Sequence, residues 1–263
     1  MERALKTAAS GMYAQQLNVD AIANNLANVN TTGFKQTRVE FQDLMYETLR
    51  ATGVPDQQGG TPPAELQVGD GTVPSSTTRD FTQGAVTQTN NQLDFAVQGD
   101  GFFKIRMPDG TDSYTRDGSF KISGNGNIVT SNGYIVEPGF TIPQDTTSLT
   151  VGSDGTVQAT VSGQTNPVTL GQLELAKFVN PAGLHAIGSD LYQETVASGT
   201  PILGNAGSTG FGTIQEGYLE SSNVSVVTEM VNMIQAERAY ELNSKAIQTA
   251  DAMMQQADNL KGS

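Results

Sequence analysis

The sequence contains one histidine, His185, within the segment GLHAIGSD. A serine nucleophile needs a histidine as its general base, so a Ser-His-Asp site in this chain would have to use His185. The G-x-S-x-G motif that exposes such a serine does not occur in the sequence. The neighbours of His185 are Leu184, Ala186 and Ile187, which favours an ordinary packed residue over a catalytic base.

Phosphate-binding and metal-binding patterns are incomplete. Residues 99–101 (GDG) and 124–126 (GNG) begin a G-x-G-x-x-G motif without finishing it, and we interpret both as turns. No Gly-Lys pair of a P-loop is present, and one histidine without cysteine cannot supply the usual zinc ligands. Asp109, Asp112 and Asp117 suggest weak calcium binding, but their spacing fits no EF-hand loop, so solvated turn carboxylates are favoured. We expect no cofactor and no metal.

Composition restricts the partners. The chain of 263 residues has 14 Lys and Arg against 27 Asp and Glu, a formal charge of -13, and it lacks a basic cluster for neutralising phosphates, so we expect no nucleic acid. No stretch reaches the roughly 20 apolar residues that span a bilayer, so we expect no bilayer insertion. The first residues lack the apolar core of a signal peptide, and we expect none to be cleaved. Paired carboxylates for glycoside hydrolysis stay open, although the absence of Trp disfavours a sugar cleft.

The first thirty residues have the heptad pattern of a coiled-coil helix. One apolar row recurs every seven positions and a second row follows three positions behind it. The first row is Leu5, Met12, Val19 and Leu26, and the second is Ala8, Gln15, Ile22 and Val29. We expect this helix to stop at Thr31, Thr32 and Gly33, because glycine suits the left-handed turn that closes a helix.

The last forty residues repeat this pattern. Their first row is Val226, Met233, Tyr240, Ile247 and Met254, and their second row is Ala236, Asn243, Ala250 and Ala257. Small residues in the second row allow another helix to approach closely. The residue types at 221–223 often cap helix N-termini, so we expect the helix to begin there.

Neither terminal helix should be stable alone, because one apolar seam does not offset the entropy lost in ordering its backbone. We therefore expect both ends to be largely disordered in a free monomer and to fold when copies pack together. Asn18, Asn25 and Asn243 lie on or beside the seams, where a polar group specifies register at a cost in stability. We expect these amides to form hydrogen bonds between chains.

Between the helices, the hydrophobic period changes to that of β-strands. Short runs such as LDFAVQG and GFFKIRM alternate with turn sequences at 108–110, 117–118, 124–127, 132–133 and 153–155. This pattern predicts an antiparallel β-rich middle domain, and the whole chain is therefore an α+β protein with its N- and C-terminal coiled-coil helices packed together. Residues 50–76 are rich in Pro, Gly and polar residues, and they form either a flexible linker or a segment ordered by neighbours.

The two ends resemble the terminal motifs of the bacterial flagellar rod and hook family. The resemblance is carried by SGMYAQQLNVDAIANNLANVNTTGFK and GYLESSNVSVVTEMVNMIQAERAYELNSKAIQTAD, and Ala23–Phe34 is its most specific part. Within that family, FQDLMYETLR, LQVGDG, FTQG, LDFAVQGDGFFKI and YTRDGSF are most similar to the subunits that build the distal rod.

The resemblance implies a structural subunit, not an enzyme, that polymerises into a stiff hollow drive shaft and transmits torque to the hook. Residues 1–32 with 221–263 would form a helical core lining the inner tube, 33–76 an extended rod-type segment, and 77–220 a β-rich outer domain. Tyr46 to about Ser75 would brace neighbouring subunits, so deleting 46–63 should give a more flexible or longer shaft.

The implied location is the periplasm-spanning rod of the flagellar basal body, reached through the type III export apparatus without a cleaved signal peptide. The implied partners are further copies of the chain, other rod subunits, hook subunits, and the periplasmic and outer-membrane rings that surround the shaft. Combined with the heptads, this predicts an assembly interface formed by Leu5, Met12, Val19, Ile22, Asn25, Leu26, Val29, Phe34, Val226, Met233, Tyr240, Asn243, Ile247 and Met254.

Two alternatives stay open. One is another rod or hook subunit, although hooks normally carry a large extra outer domain for which this chain has little room. The other is a secreted β-rich carbohydrate-active protein whose terminal heptads form a trimer. The form of the assembly discriminates between them, because a rod subunit gives tubes and the second alternative gives discrete trimers.

Overall fold

The structure is a computed structural model that describes residues 2–50, 64–164 and 166–261. A long helix lies at each end, α1 (Glu2–Ala27) and α2 (Val226–Lys261), and the described strands between them pair in antiparallel fashion. The predicted α+β chain with two terminal helices and a β-rich middle is confirmed. The described residues form two compact units, the first from 2–26, 37–50, 64–78 and 226–261, and the second from 27–36, 79–164 and 166–225.

The first unit combines the two helices with two narrow β-ribbons. Its strands are β1 (Thr37–Asp43), β2 (Tyr46–Arg50), β3 (Leu66–Gly69) and β4 (Thr72–Arg79), the last residue of which begins the second unit. Strand β1 pairs with β4, and β2 pairs with β3. Residues 51–63 of the predicted rod-type segment lie outside the described residues.

The second unit contains the remaining strands. They are β5 (Val86–Gln88), β6 (Phe95–Gln98), β7 (Phe102–Arg106), β8 (Asp112–Thr115), β9 (Lys121–Ile122), β10 (Ile128–Val129), β11 (Ile135–Val136), β12 (Thr146–Val151), β13 (Thr156–Val161), β14 (Val168–Gln172), β15 (Glu174–Lys177), β16 (His185–Gly188), β17 (Leu191–Gln193), β18 (Ile202–Asn205), β19 (Thr213–Glu216) and β20 (Tyr218–Glu220). A single 3-10 turn covers Pro181–Gly183.

The largest sheet of this unit runs in the order β16-β17-β8-β7-β11-β10-β9. It forks at β7, because the start of that strand pairs with β15 and its end pairs with β11. A second sheet has the order β12-β13-β14, while β19 pairs with β6 and β20 with β5. The turns at 107–111, 123–127, 130–134 and 152–155 each close a hairpin, as the sequence predicted.

The main core of the second unit lies between these sheets. It contains aromatic and β-branched side chains from both, including Phe95, Phe103, Ile105, Val157 and Ile214, which are at most 1% exposed. A smaller aromatic cluster packs edge to face beside it. Its members are Phe81, Phe102, Tyr114, Phe178 and Tyr192.

Both helices are shorter than predicted at their inner ends. Helix α1 ends at Ala27, because the chain turns at Asn28, whose carbonyl and side-chain oxygens accept hydrogen bonds from Thr31. Helix α2 begins at Val226, not at 221–223, because the amide of Ser221 donates to the carbonyl of Ala85 and extends the β20–β5 ladder. Gly33 has the predicted left-handed conformation, with φ +71°, but α1 ends at Ala27, so Gly33 does not close the helix as predicted.

Candidate assembly surface

The two helices contact each other through the second heptad row of α2. In this row Ala236 and Ala250 are buried, Asn243 is half-buried and Ala257 is exposed. Glu229, which lies one heptad before Ala236, is also buried. On α1 the buried side chains include Ala8, Ala14, Ile22 and Asn25. Most of these residues are small, so the helix pair buries little apolar surface in a single chain.

On its opposite side, α2 is apolar and exposed over its first two turns. Val227, Met230, Val231 and Ile234 follow the i, i+3, i+4, i+7 spacing of one helix face, and Val227 is 74% exposed. At 100° per residue, this stripe lies roughly 180° away from the row that contacts α1. We call it the α2 stripe. The heptad rows did not predict the α2 stripe, although the i, i+3, i+4, i+7 spacing of its residues is present in the sequence.

A groove of about 450 Å³ in the first unit brings two predicted interface residues together. It is lined by Gln16 and Val19 from α1 and by Glu237, Tyr240 and Glu241 from α2. An apolar floor with two carboxylates at the rim suits a side chain with an apolar stem and a polar or basic end.

The predicted interface residues divide into three groups in the structure. Those buried inside the chain are Ile22, Asn25 and Phe34. Those half-buried are Leu5, Met12, Val19, Leu26, Val29, Met233, Asn243, Ile247 and Met254, and those exposed are Val226 and Tyr240. Val29 lies beyond the end of α1, and Phe34 lies in the second unit, so neither continues the helical seam.

Asn25 forms its hydrogen bonds within the chain. Its Nδ2 donates to Glu229 at 3.0 Å and to the carbonyl of Thr37 at 2.8 Å, and its Oδ1 accepts from the Thr37 amide at 2.9 Å. The side chain thus pairs with the Thr37 backbone as a neighbouring strand would. The sequence had led us to expect this amide to bond to another chain.

The β2–β3 ribbon is the second exposed apolar feature of the first unit. All five residues of β2 are exposed, and Tyr46, Leu49 and Leu66 are each more than half exposed. Met45 beside them is 88% exposed. A two-stranded ribbon with no buried face is marginally stable in water, so it gains most from a neighbouring surface.

The residues first considered for chemistry have other surroundings. His185 was expected to be packed but is exposed on β16, opposite Gln193. The three carboxylates considered for calcium each have a separate protein partner, Thr111 for Asp109, Lys104 for Asp112 and Ser119 for Asp117. Within the described ranges, no group of three potential metal ligands occurs. Neither described helix carries an apolar stretch of membrane-spanning length.

Family descriptions match three parts of the chain. Residues 5–35 match "Flagella basal body rod protein", residues 96–159 match "Flagellar hook protein FlgE/F/G D1 domain", and residues 215–260 match "Flagellar basal body rod FlgEFG protein C-terminal". The two outer matches contain most of α1 and α2, which carry the exposed helical surface described above.

Individual relatives extend the match to nearly the whole chain. The "Flagellar basal-body rod protein FlgG" of Borreliella burgdorferi is 54% identical over 263 residues, 99% of each chain. The protein of the same name from Caulobacter vibrioides is 49% identical over 260 residues, 98% of this chain and 99% of its own. A "Flagellar hook protein FlgE" from Helicobacter mustelae is 43% identical over only 138 residues, 52% of this chain and 30% of its own. The chain belongs to the family of flagellar basal-body rod proteins FlgG.

Proposed function

We propose that this chain is a structural subunit of the distal rod in the flagellar basal body, where copies polymerise into a stiff, hollow helical shaft that transmits torque to the hook. The observation that carries the proposal is the α2 stripe, which is apolar, follows one helix face and lies opposite the contact with α1. Its four side chains are between 48% and 74% exposed, so burying them against another copy would contribute about 3–7 kcal/mol at each contact. Full-length similarity to rod proteins, and only partial similarity to a hook protein, favours the rod.

Within this proposal, the three parts of the chain have different tasks. The ends, 1–32 and 221–263, form the inner tube, and 77–220 form the outer shell. The segment 33–76 braces neighbouring copies, and the exposed apolar side chains of the β2–β3 ribbon supply part of the bracing surface. Contacts that do not close on themselves generate an open helix instead of a ring. The further partners are other rod subunits, hook subunits, the surrounding rings and the export apparatus.

The experiment is polymerisation of the purified full chain. We expect a critical concentration: above it, the chain forms hollow rods that can be sedimented, and below it, the chain stays monomeric. Discrete trimers at all concentrations would instead support the carbohydrate-active alternative.

The bracing role is tested on the polymers themselves. Replacing Tyr46, Leu49 and Leu66 together by Ser should lower the bending stiffness of the polymers measured from electron micrographs, and it should also raise the critical concentration because apolar contacts between copies are lost. A triple change to Ser at exposed Thr87, Gln88 and Thr150 in the second unit is the control, and equal stiffness in all polymers would contradict the bracing role.

A further inference from the structure

Three charged side chains are buried together in the second unit. Lys35 Nζ lies 2.5 Å from Glu220 Oε1, and Arg116 Nη1 lies 3.2 Å from Glu220 Oε2. The side chains of Lys35 and Glu220 are 0% exposed and that of Arg116 is 5% exposed. We call these residues the charged cluster. In sequence, Lys35 is 185 positions and Arg116 is 104 positions from Glu220, so only the fold brings the three residues together.

Backbone groups complete the surroundings of the cluster. Lys35 Nζ also donates to the carbonyl of Thr82 at 2.7 Å, and the amide of Gly84 donates to Glu220 Oε1 at 2.9 Å. Arg116 donates to two further backbone carbonyls, at 3.2 and 2.7 Å, while its Nε has no hydrogen-bond partner. Desolvation lowers the pKa of Lys35, opposed by the Glu220 charge.

Burial of this kind contributes little to stability. Removing charges from water costs about as much free energy as their attraction returns, and an apolar cluster of similar volume is often equally stable. The reason for keeping the charges must therefore lie in what they hold in place.

Members and partners of the cluster lie close in sequence to three of the points where the chain leaves or enters the second unit. The chain crosses from one unit to the other after residues 26, 36, 78 and 225. Lys35 lies just before the second crossing, Thr82 just after the third, and Glu220 just before the fourth. Residues 27–36 join the first crossing to the second, so Lys35 lies in the segment that these two crossings share.

Asn223 links the same three segments through its polar atoms. Its Oδ1 accepts from the Gln36 amide at 2.7 Å, and its Nδ2 donates to the carbonyl of Asp80 at 2.8 Å. The Asp80 amide in turn donates to the Gln36 carbonyl at 2.9 Å, and the Gly33 amide donates to the Glu220 carbonyl at 2.8 Å. The three segments thus form one bonded group inside the second unit.

We propose that the charged cluster, together with Asn223, is a mechanical clamp that holds the three connecting segments together so that a force entering the second unit is shared among them. A segment pulled alone peels away one hydrogen bond at a time. Segments joined through a common buried carboxylate must separate together, which requires a larger force. The identification of this force with torque rests on the proposed function, whereas the clamp itself is a property of the single chain.

The test is force spectroscopy on the full-length monomer. The sequence has no cysteine, so two introduced cysteines give unique handles. Handles at the exposed positions Ala27→Cys and Val226→Cys load the connections directly. Handles at the exposed positions Gln144→Cys and Asn166→Cys load the open end of the β12–β13 hairpin instead. We expect Lys35→Met to lower the rupture force at least twofold with the first pair of handles and to leave it unchanged with the second.

A matched core variant separates the clamp from general stability. Leu149→Ala removes buried volume within the β12–β13 hairpin that the second pair of handles loads, so it should lower the force there and not at the first pair. The proposal would be overturned if Lys35→Met lowered the rupture forces at both pairs of handles equally, or if it lowered neither of them. If Lys35→Met does not fold, Asn223→Ala replaces it as the test variant, because this change leaves no buried charge unpaired. It should lower only the first force, and an unchanged first force would also overturn the clamp. Polymerisation of the native chain is measured separately, so failure of the clamp and failure of the rod function are distinguishable.

Discussion

Asn25 on α1 donates a 3.0 Å hydrogen bond to the carboxylate of Glu229 on α2, although 204 residues separate them in sequence. Each residue is only 1% exposed. Glu229 lies in the first turn of α2, where the helix dipole favours a negative charge. This bond fixes one point of α1 against one point of α2, and the same amide pairs with Thr37 where β1 begins. We therefore expect it to determine how the two helical ends are aligned for assembly.

Replacing Asn25 by Ala should therefore weaken assembly. Losing a buried hydrogen bond to a carboxylate and the two bonds to Thr37 costs about 2–4 kcal/mol. That loss corresponds to a critical concentration for polymerisation roughly 30- to 700-fold higher. Asn30→Ala, at an exposed position, is the control and should change the critical concentration less than about threefold. Equal values for the two variants would show that the Asn25 bonds do not align the helices.

A charge placed in the α2 stripe should prevent polymerisation without unfolding the chain. Ile234→Glu puts a carboxylate into a contact that must be dehydrated, and we expect the critical concentration to rise at least about 100-fold. Gln235→Glu adds the same charge about 90° around the helix and should assemble nearly as the native chain does. Sedimentation of both variants over a concentration series measures the difference. Polymerisation of Ile234→Glu at the native concentration would mean that the stripe is not an interface.

Gly11 and Asn243 should be coupled across the helix pair. A Cβ at Gly11 would lie 2.8 Å from the Asn243 Nδ2, so Ala at position 11 displaces that amide. Ala is a better helix former than Gly by about 1 kcal/mol. We therefore expect Gly11→Ala to stabilise the polymer against heat when Asn243 is also Ala, and to bring no gain when Asn243 is retained. A double-mutant cycle of the dissociation temperatures gives the coupling, and strict additivity would contradict the contact.

The carboxyl of Asp190 makes the second unit sensitive to pH. Burial, followed by the charge of Asp117, raises the pKa of Asp190 from 3.8 to about 6, while Arg79 acts in the opposite direction. The folded chain thus binds this proton more tightly than the unfolded chain, so the stability linked to Asp190 is complete below pH 3.8 and is lost as pH rises through 6.

Asp190→Asn should remove this sensitivity. Asp190 has φ +56°, a left-handed conformation that Asn adopts readily. We expect the variant to be more stable by about 1–2 kcal/mol at pH 7, a value reduced because the group keeps some solvent contact. Urea unfolding at pH 4 and pH 7 measures the effect, with exposed Asp145→Asn as the control. A variant no more stable than the native chain at pH 7 would contradict a buried, charged Asp190.

The elements with short-range signals were predictable from the sequence. Heptad spacing indicated both helices, and turn sequences such as 108–110 and 153–155 indicated the hairpins. The inner helix ends were not predicted correctly, because the capping-type residues near 221–223 bond to other segments of the fold. Asn223, for example, binds the Gln36 amide instead of capping α2.

The sequence could not show which heptad row contacts α1 in the same chain and which is left for contacts with other copies. That assignment depends on which face of α2 meets α1. The charged cluster was also out of reach, because Lys35 and Arg116 meet Glu220 only after the second unit has folded. Asn25 shows the same limit. Its heptad position indicated a register-setting role, but only the fold shows that its partners are Glu229 and Thr37 of the same chain.

The two terminal helices should be less completely formed in the free chain than in the polymer. Helices α1 and α2 contain 26 and 36 residues, and few of their side chains are buried within one chain. We expect the magnitude of the helical circular dichroism signal at 222 nm to rise when the monomer assembles. The Ile234→Glu variant, which should not polymerise, should keep the signal of the monomer. A dilute monomer with the full helical signal of the polymer would show that the ends fold without neighbours.

Electron cryo-microscopy of the polymer formed by the full-length chain is the most direct test of the proposed rod. We expect a hollow helical shaft in which α1 and α2 line the inner tube and the α2 stripe, Val227 to Ile234, contacts a helix of another copy. A closed ring or trimer, or a shaft in which the α2 stripe faces solvent, would contradict it.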